Sequence, residues 1–125
     1  MKVETERKSI KTYRDLIVWQ KSISFVTDIY KMTKCFPKDE QFGLISQMRR
    51  CSVSVPSNIA EGYGRRSTGD YVRFLRIAMG STFEIQTQLQ IASNLNYLGQ
   101  CEFDVIHEKS RELERMLSAL LSKLN

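Results

Sequence analysis

Residues 46–66 read Ser46-Gln-Met-Arg-Arg-Cys-Ser-Val-Ser-Val-Pro-Ser-Asn-Ile-Ala-Glu-Gly-Tyr-Gly-Arg-Arg66, and the choice between helix and strand here decides the fold. Cys51-Ser-Val-Ser-Val55 alternates as a half-buried strand does, and its β-branched valines suit a strand as well as a helix. Against this stands the longer stripe Ile45, Met48, Ser52, Val55 and Ile59, spaced three or four residues apart as one face of a helix requires. The helical period runs further, so the segment reads as helix with Pro56 inside it. An interior proline removes one backbone hydrogen bond and clashes with the preceding turn, costing about 3 kcal/mol unless the helix bends, so a kink near Ser52 to Pro56 is expected.

Three more amphipathic segments flank this one. Upstream, Leu16, Trp19, Ile23, Val26 and Tyr30 form a stripe of roughly 20 residues, about 30 Å long, with Asp15 as N-cap and Phe36-Pro37 as stop. The second helix opens near Lys38-Asp39-Glu40, where acids suit the positive end of the helix dipole, and closes at Gly62-Tyr63-Gly64, whose glycines end it and turn the chain. Ser67-Thr68-Gly69-Asp70 offers caps for a third, with Tyr71, Leu75, Ala78, Thr82, Ile85, Leu89 and Ala92 inward and an end around Asn96 to Gly99. A heptad of Phe103, Ile106, Ser110, Leu113, Leu117, Leu120 and Leu124 makes the fourth. Short linkers between long helices force antiparallel neighbours. The sequence therefore predicts an all-α, up-down-up-down four-helix bundle over residues 13–125, preceded by a flexible basic tail over residues 1–12.

Small residues gather on the middle helices: Ser46, Cys51, Ser52, Ser54, Ser57 and Ala60 on the second, and Ala78, Gly80 and Ser81 on the third. They permit close backbone approach, either within the chain or between subunits, and the pattern leaves both open.

The chain has 125 residues and a formal charge of +5, with the excess in its N-terminal half. A basic surface of this kind draws phosphate backbones, acidic proteins or anionic lipid. Cys35, Cys51 and Cys101 are odd in number and too far apart for a Cys-x-x-Cys pair, which suits reduced thiols in a cytoplasmic protein. No apolar signal region follows the charged N-terminus, and nowhere do eighteen apolar residues run together, so neither secretion nor membrane insertion is expected.

Motifs for chemistry are missing. A di-iron or di-manganese bundle needs Glu-x-x-His on two helices, and His107 is the sole histidine, read as a half-exposed neighbour of the Ile106 stripe, so no metal or cofactor is expected. No serine or cysteine lies in a nucleophile elbow, and Gly62-Tyr-Gly64 lacks the Gly-Lys-Ser/Thr ending of a phosphate loop. Glu61 and Glu84 at unknown separation read as capping or interhelix acids rather than a catalytic pair. The chain is read as non-enzymatic.

Arginines are better placed. With the second and third helical stripes inward, Arg49, Arg50, Arg73 and Arg76 fall outward, while Arg65 and Arg66 occupy the intervening turn. Arg73 lies roughly 10 Å along its helix from that turn, so Arg65, Arg66, Arg73 and Arg76 form a candidate phosphate-binding patch, with Tyr63 or Tyr71 near enough to stack on an unpaired base. Asp70 and Glu61 neutralise part of it. Tyr71 also belongs to the core stripe.

Tyr13-Arg-Asp-Leu-Ile-Val-Trp-Gln20, Phe36-Pro-Lys, Phe42-Gly-Leu, Ser52 through Arg66 and Ala78-Met-Gly-Ser81 together resemble the four-helix bundle proteins encoded within intervening sequences of bacterial 23S ribosomal RNA genes. The resemblance covers about residues 13–124 and is most specific at Pro56-Ser-Asn-Ile-Ala-Glu-Gly-Tyr63. It implies a small bacterial protein without enzymatic activity. It also implies a ring-shaped homopentamer, like the fold-related accessory proteins of diversity-generating retroelements, which are thought to bind nucleic acid and a reverse transcriptase. The family signature maps onto Asn58, Glu61, Gly62, Tyr63, Gly64 and Arg65, serving fold and assembly or ligand contact. Where the family often has glutamate, this chain has Gln86. The reading is an oligomeric protein that binds RNA or DNA through Arg49, Arg50, Arg65, Arg66, Arg73 and Arg76 and the N-terminal lysines. The alternative is a protein-interaction scaffold with a protein partner and no nucleic-acid role.

Overall fold

The computed structural model describes residues 10–124; of the expected basic tail, residues 1–9 lie outside the described residues. Four long helices follow, α1 (Ile17–Thr33), α2 (Leu44–Tyr63), α3 (Thr68–Asn94) and α4 (Gln100–Leu124), with single 3₁₀ turns at Tyr13–Asp15 and Lys38–Glu40 and no strand among the described residues. Cys51 to Val55, the stretch with strand-like alternation, is helical, and α2 continues through Pro56 to Tyr63.

Each helix packs on its sequence neighbours, and α1 also meets α4, closing the bundle. On α2 and α3 the contacts run in opposite senses: Cys51 reaches Ser81, while Gly62 lies against Tyr71 and Phe74. On α1 and α4, Asp28 pairs with Lys109 at 2.6 Å and Lys21 with Glu112 at 3.1 Å, again in opposite senses. One continuous core results, from Val18, Phe25 and Ile29 through Met48, Val55 and Ile59 to Leu75, Ile85, Leu89, Leu113 and Leu117.

The stripes expected on α2 and α3 are the buried ones, except that Tyr71 is only half-buried and Phe74 and Gln88 join the buried face of α3. On α1 the expectation is corrected. The buried face is Val18, Ser22, Phe25, Ile29 and Thr33, whereas Ile23 and Tyr30 are each 40% exposed. Two hydroxyls sit in that face at little cost because the helix satisfies them itself: Ser22 Oγ donates to the Trp19 carbonyl at 2.7 Å and Thr33 Oγ1 to that of Ile29 at 2.8 Å. On α4 the last core position is Leu121 rather than Leu120 or Leu124, which pack only partly against the core; Phe103 is likewise partial.

The helix starts also differ from expectation. Asp15 is not the N-cap of α1, a position held by Leu16 with no side-chain bond; Thr12 caps the preceding 3₁₀ turn, and Asp15 closes its capping box, its Oδ2 accepting from the backbone of Lys11 at 2.8 Å and Thr12 at 3.1 Å. These two bonds, the Lys11 one foremost, hold the Asp15 carboxyl below its usual range. The acids before α2 form a 3₁₀ turn of their own, and α2 begins only at Leu44. Glu40 bridges the gap, accepting from Tyr97 Oη at 2.7 Å and from the Leu44 amide at 3.1 Å, bonds that lower its pKa in that order. At the end of α3, Asn96 adopts the left-handed conformation (φ 63°), and the Tyr97 amide reaches back to the Ala92 carbonyl at 2.9 Å.

Candidate nucleic-acid interface

The turn between α2 and α3 is built by Gly62, Gly64 and Ser67. α2 ends at this glycine-bracketed turn as expected, with no glycine among the described residues at positive φ. Gly64 caps α2 in right-handed conformation (φ −79°), and Ser67 Oγ accepts from the Asp70 amide at 3.1 Å to start α3. Gly62 does something else: a Cβ there would stand 2.7 Å from Phe74 Cβ and 3.1 Å from the Tyr71 ring, so glycine is what lets α2 and α3 meet.

That close approach places Phe74 beneath the arginines. The Arg65 guanidinium carbon lies 4.8 Å and that of Arg73 4.6 Å from the centroid of the Phe74 ring, two cations on one aromatic ring. Each is steadied by a neighbouring acid, Arg65 by Glu61 at 2.8 Å and Arg73 by Asp70 at 3.8 Å. Arg66, in the turn, and Arg76, three residues beyond Arg73, are exposed. Four arginines against two acids leave this end of the bundle positive, and two of the forks are held in fixed positions.

The other two arginines are elsewhere. Arg50 is about 22 Å of helix from Arg65 and lines an open groove of about 390 Å³ with Gln47, Cys51, Ser54, Ser81 and Glu84. Arg49 is half-buried and faces α1: Nε donates to Thr33 Oγ1 at 2.9 Å, Nη2 donates to the Tyr30 carbonyl at 3.2 Å, and the guanidinium carbon sits 4.6 Å from the Tyr30 ring centroid. It thus covers the C-terminal end of α1. Arg49→Ala is expected to lower the unfolding free energy by about 2 kcal/mol, from charged hydrogen bonds and the cation–π contact, measured by urea denaturation.

Tyr63 and Tyr71 meet edge to face with centroids 6.0 Å apart. Tyr71 is half-buried, and burial, followed by the charge of Tyr63, raises its phenol pKa. Packed against Gly62, it is a structural ring rather than a stacking platform.

The remaining signature residue, Asn58, is tied to the α2–α3 seam through Ser54. Asn58 Nδ2 donates to the Ser54 carbonyl at 2.8 Å and to Ser54 Oγ at 3.0 Å, and the Ser54 and Ser81 hydroxyls are 2.8 Å apart. Cys51 Sγ donates to the Ser81 carbonyl at 3.1 Å; its pKa is pushed up to about 12 by burial first and then by Glu84, which keeps this thiol protonated. Glu61 pairs with Arg65, whereas Glu84 lines the groove with Arg50 and Cys51. The His107 ring stacks on Phe103 at 5.1 Å, and among the described residues no three His, Cys, Asp or Glu side chains converge to hold a metal ion. Nor is any helix there long and apolar enough to cross a membrane. Gln86 Nε2 donates to Glu114 Oε1 at 3.1 Å. A glutamate at position 86 would set two carboxylates against each other here.

Phe74 is the residue that the sequence reading missed. Its position between Arg73 and Arg76, beside the core residue Leu75, is the signal that it sits at the edge of the core under the charged face.

Fold and surface together define a small all-helical bundle with a positively charged end. The chain belongs to the 23S rRNA-intervening sequence protein family, which matches residues 14–119. Among solved structures it is similar in fold to a protein of unknown function from the S23 ribosomal protein family of Bacteroides thetaiotaomicron, with a TM-score of 0.79 and 23% identity, covering 85% of this chain and 96% of that one. No curated protein matches the chain.

Proposed function

We propose that this is a non-enzymatic, cytoplasmic, oligomeric protein that binds nucleic acid, RNA foremost, through the phosphate backbone and with low sequence specificity. The observation that carries the reading is the pair Arg65 and Arg73 on the Phe74 ring, with Arg66 and Arg76 exposed beside them. Guanidinium forks suit phosphate oxygens, and exposed arginines of this kind contact a backbone rather than enclose a small substrate. Arg50 extends the surface along α2, and Arg49 drops out of the contact set because it is committed to α1. Self-association, as the homopentamer of the family resemblance, is supported by an open, mainly apolar groove between α1 and α2. Its lining includes Trp19, Ile23, Val26, Val53, Pro56 and Ala60. The expected first stripe of α1 lies largely on this groove, as a face for a second copy of the chain.

Binding to a labelled structured RNA should fall steeply with salt, by about 100-fold between 50 and 200 mM for four phosphate contacts. Absence of binding at the lowest salt favours the second reading, a protein-interaction scaffold. That reading is supported by the same apolar groove and by Phe42, which is 92% exposed.

A further inference from the structure

The contacts between α1 and α4 form a ladder whose antiparallel register, carried one step further, pairs the chain near Cys35 with the start of α4 near Cys101. Asp28 pairs with Lys109 at 2.6 Å. One turn along α1, Met32 shares a surface hollow with Val105, and Cys101, one turn before Val105 on α4, lines the same hollow. Cys35 follows α1 by two residues, in a turn whose Cys35 amide donates to the Met32 carbonyl at 3.2 Å, which continues the flank of Asp28 and Met32 to that point. Phe36 packs on Tyr97 with ring centroids 5.3 Å apart, joining this end of α1 to the connection that leads into α4. Cys35 and Cys101 are both exposed, and neither is in a disulfide.

We propose that Cys35 and Cys101 are an oxidation-responsive thiol pair that closes into an intrachain disulfide on exposure to hydrogen peroxide. One thiol attacks the peroxide O–O bond and takes up one oxygen as a sulfenic acid, and the first water leaves. The second thiol attacks the sulfenic sulfur, forms the S–S bond and releases the second water. Both thiol protons end in water, each sulfur loses one electron, and the peroxide gains two. The cross-link ties the end of α1 to the start of α4, at the end of the bundle away from Arg65 and Arg66, so it stands independently of the nucleic-acid reading. Cys51 takes no part: it is buried on the α2–α3 seam with its Sγ bonded to the Ser81 carbonyl.

The test treats the full chain with hydrogen peroxide, blocks remaining thiols and follows intact mass and non-reducing peptide maps. The expected result is the loss of two hydrogens in a monomeric chain, a peptide joining Cys35 to Cys101, and a rate independent of protein concentration. Cys35→Ser or Cys101→Ser abolishes this product, and Cys51→Ala leaves it. A disulfide requires Cα atoms within about 7 Å, so its formation reports the rung directly. Sulfinic or sulfonic acids without a cross-link, or disulfides only between chains, would overturn the pairing.

Discussion

The variant carrying Arg65→Glu, Arg66→Glu, Arg73→Glu and Arg76→Glu is expected to lose RNA binding altogether while retaining the circular dichroism of the parent. Four phosphate contacts carry a salt slope of about −3.6, and replacing each fork with a carboxylate turns attraction into repulsion at every position. The fold should survive. All four side chains are exposed, and none contributes to the buried core. Surface ion pairs such as Glu61–Arg65 and Asp70–Arg73 are worth at most about 1 kcal/mol each. The four reversals also move the formal charge from +5 to −3, so net charge must be separated from location. The matching control reverses Lys31, Lys34, Lys38 and Lys109, all exposed and away from the α2–α3 turn. If location governs, this control keeps the larger share of the affinity measured by fluorescence anisotropy. Equal loss in both variants would show a diffuse field in place of an interface.

The parts of this molecule legible in its sequence are those where the core stripe is also the most apolar stripe. On α2 and α3 the two coincide, and Met48, Val55, Ile59, Leu75, Ile85 and Leu89 are all fully buried. On α1 they separate. The true core face carries Ser22 and Thr33, whose hydroxyls bond to their own helix, while the more apolar stripe through Trp19, Ile23 and Val26 lines the open groove on α2. Periodicity ranks stripes by hydrophobicity, and a helix with a second apolar face defeats that ranking.

The candidate site was legible in outline for a related reason. Outward positions follow from the inward stripe, so Arg73 and Arg76 could be placed and Arg65 and Arg66 assigned to a turn. What side chains do after leaving the backbone does not follow from spacing. Arg49 is long enough to reach across to Thr33 and Tyr30, and Phe74 becomes visible as the platform only once Gly62 brings α2 against α3.

Gly62 therefore carries the second large effect. An added Cβ would stand 2.7 Å from Phe74 Cβ and 3.3 Å from the Tyr71 carbonyl oxygen. Both atoms are held by the α3 backbone, so no flexible side-chain end can swing aside and the two helices must part. Alanine in a helix gains up to about 1 kcal/mol over glycine in propensity, whereas forced overpacking costs about 1–3 kcal/mol. Gly62→Ala is expected to lose about 1 kcal/mol net in chemical denaturation and Gly62→Val several times that, the β-branch adding bulk where there is none to spare. Gly64→Ala is the contrast. Its φ is −79° and its Cβ would meet only carbonyl oxygens at 3.6 and 3.9 Å, so it should be neutral or slightly stabilising. Parting α2 from α3 also draws Arg65, which follows α2, away from the Phe74 ring on α3, so Gly62→Ala should weaken RNA binding even where the protein is fully folded, and Gly64→Ala should not. A Gly62→Ala protein that matches the parent in both stability and affinity would mean that the seam yields without cost, and that the position of Phe74 does not govern the arginines.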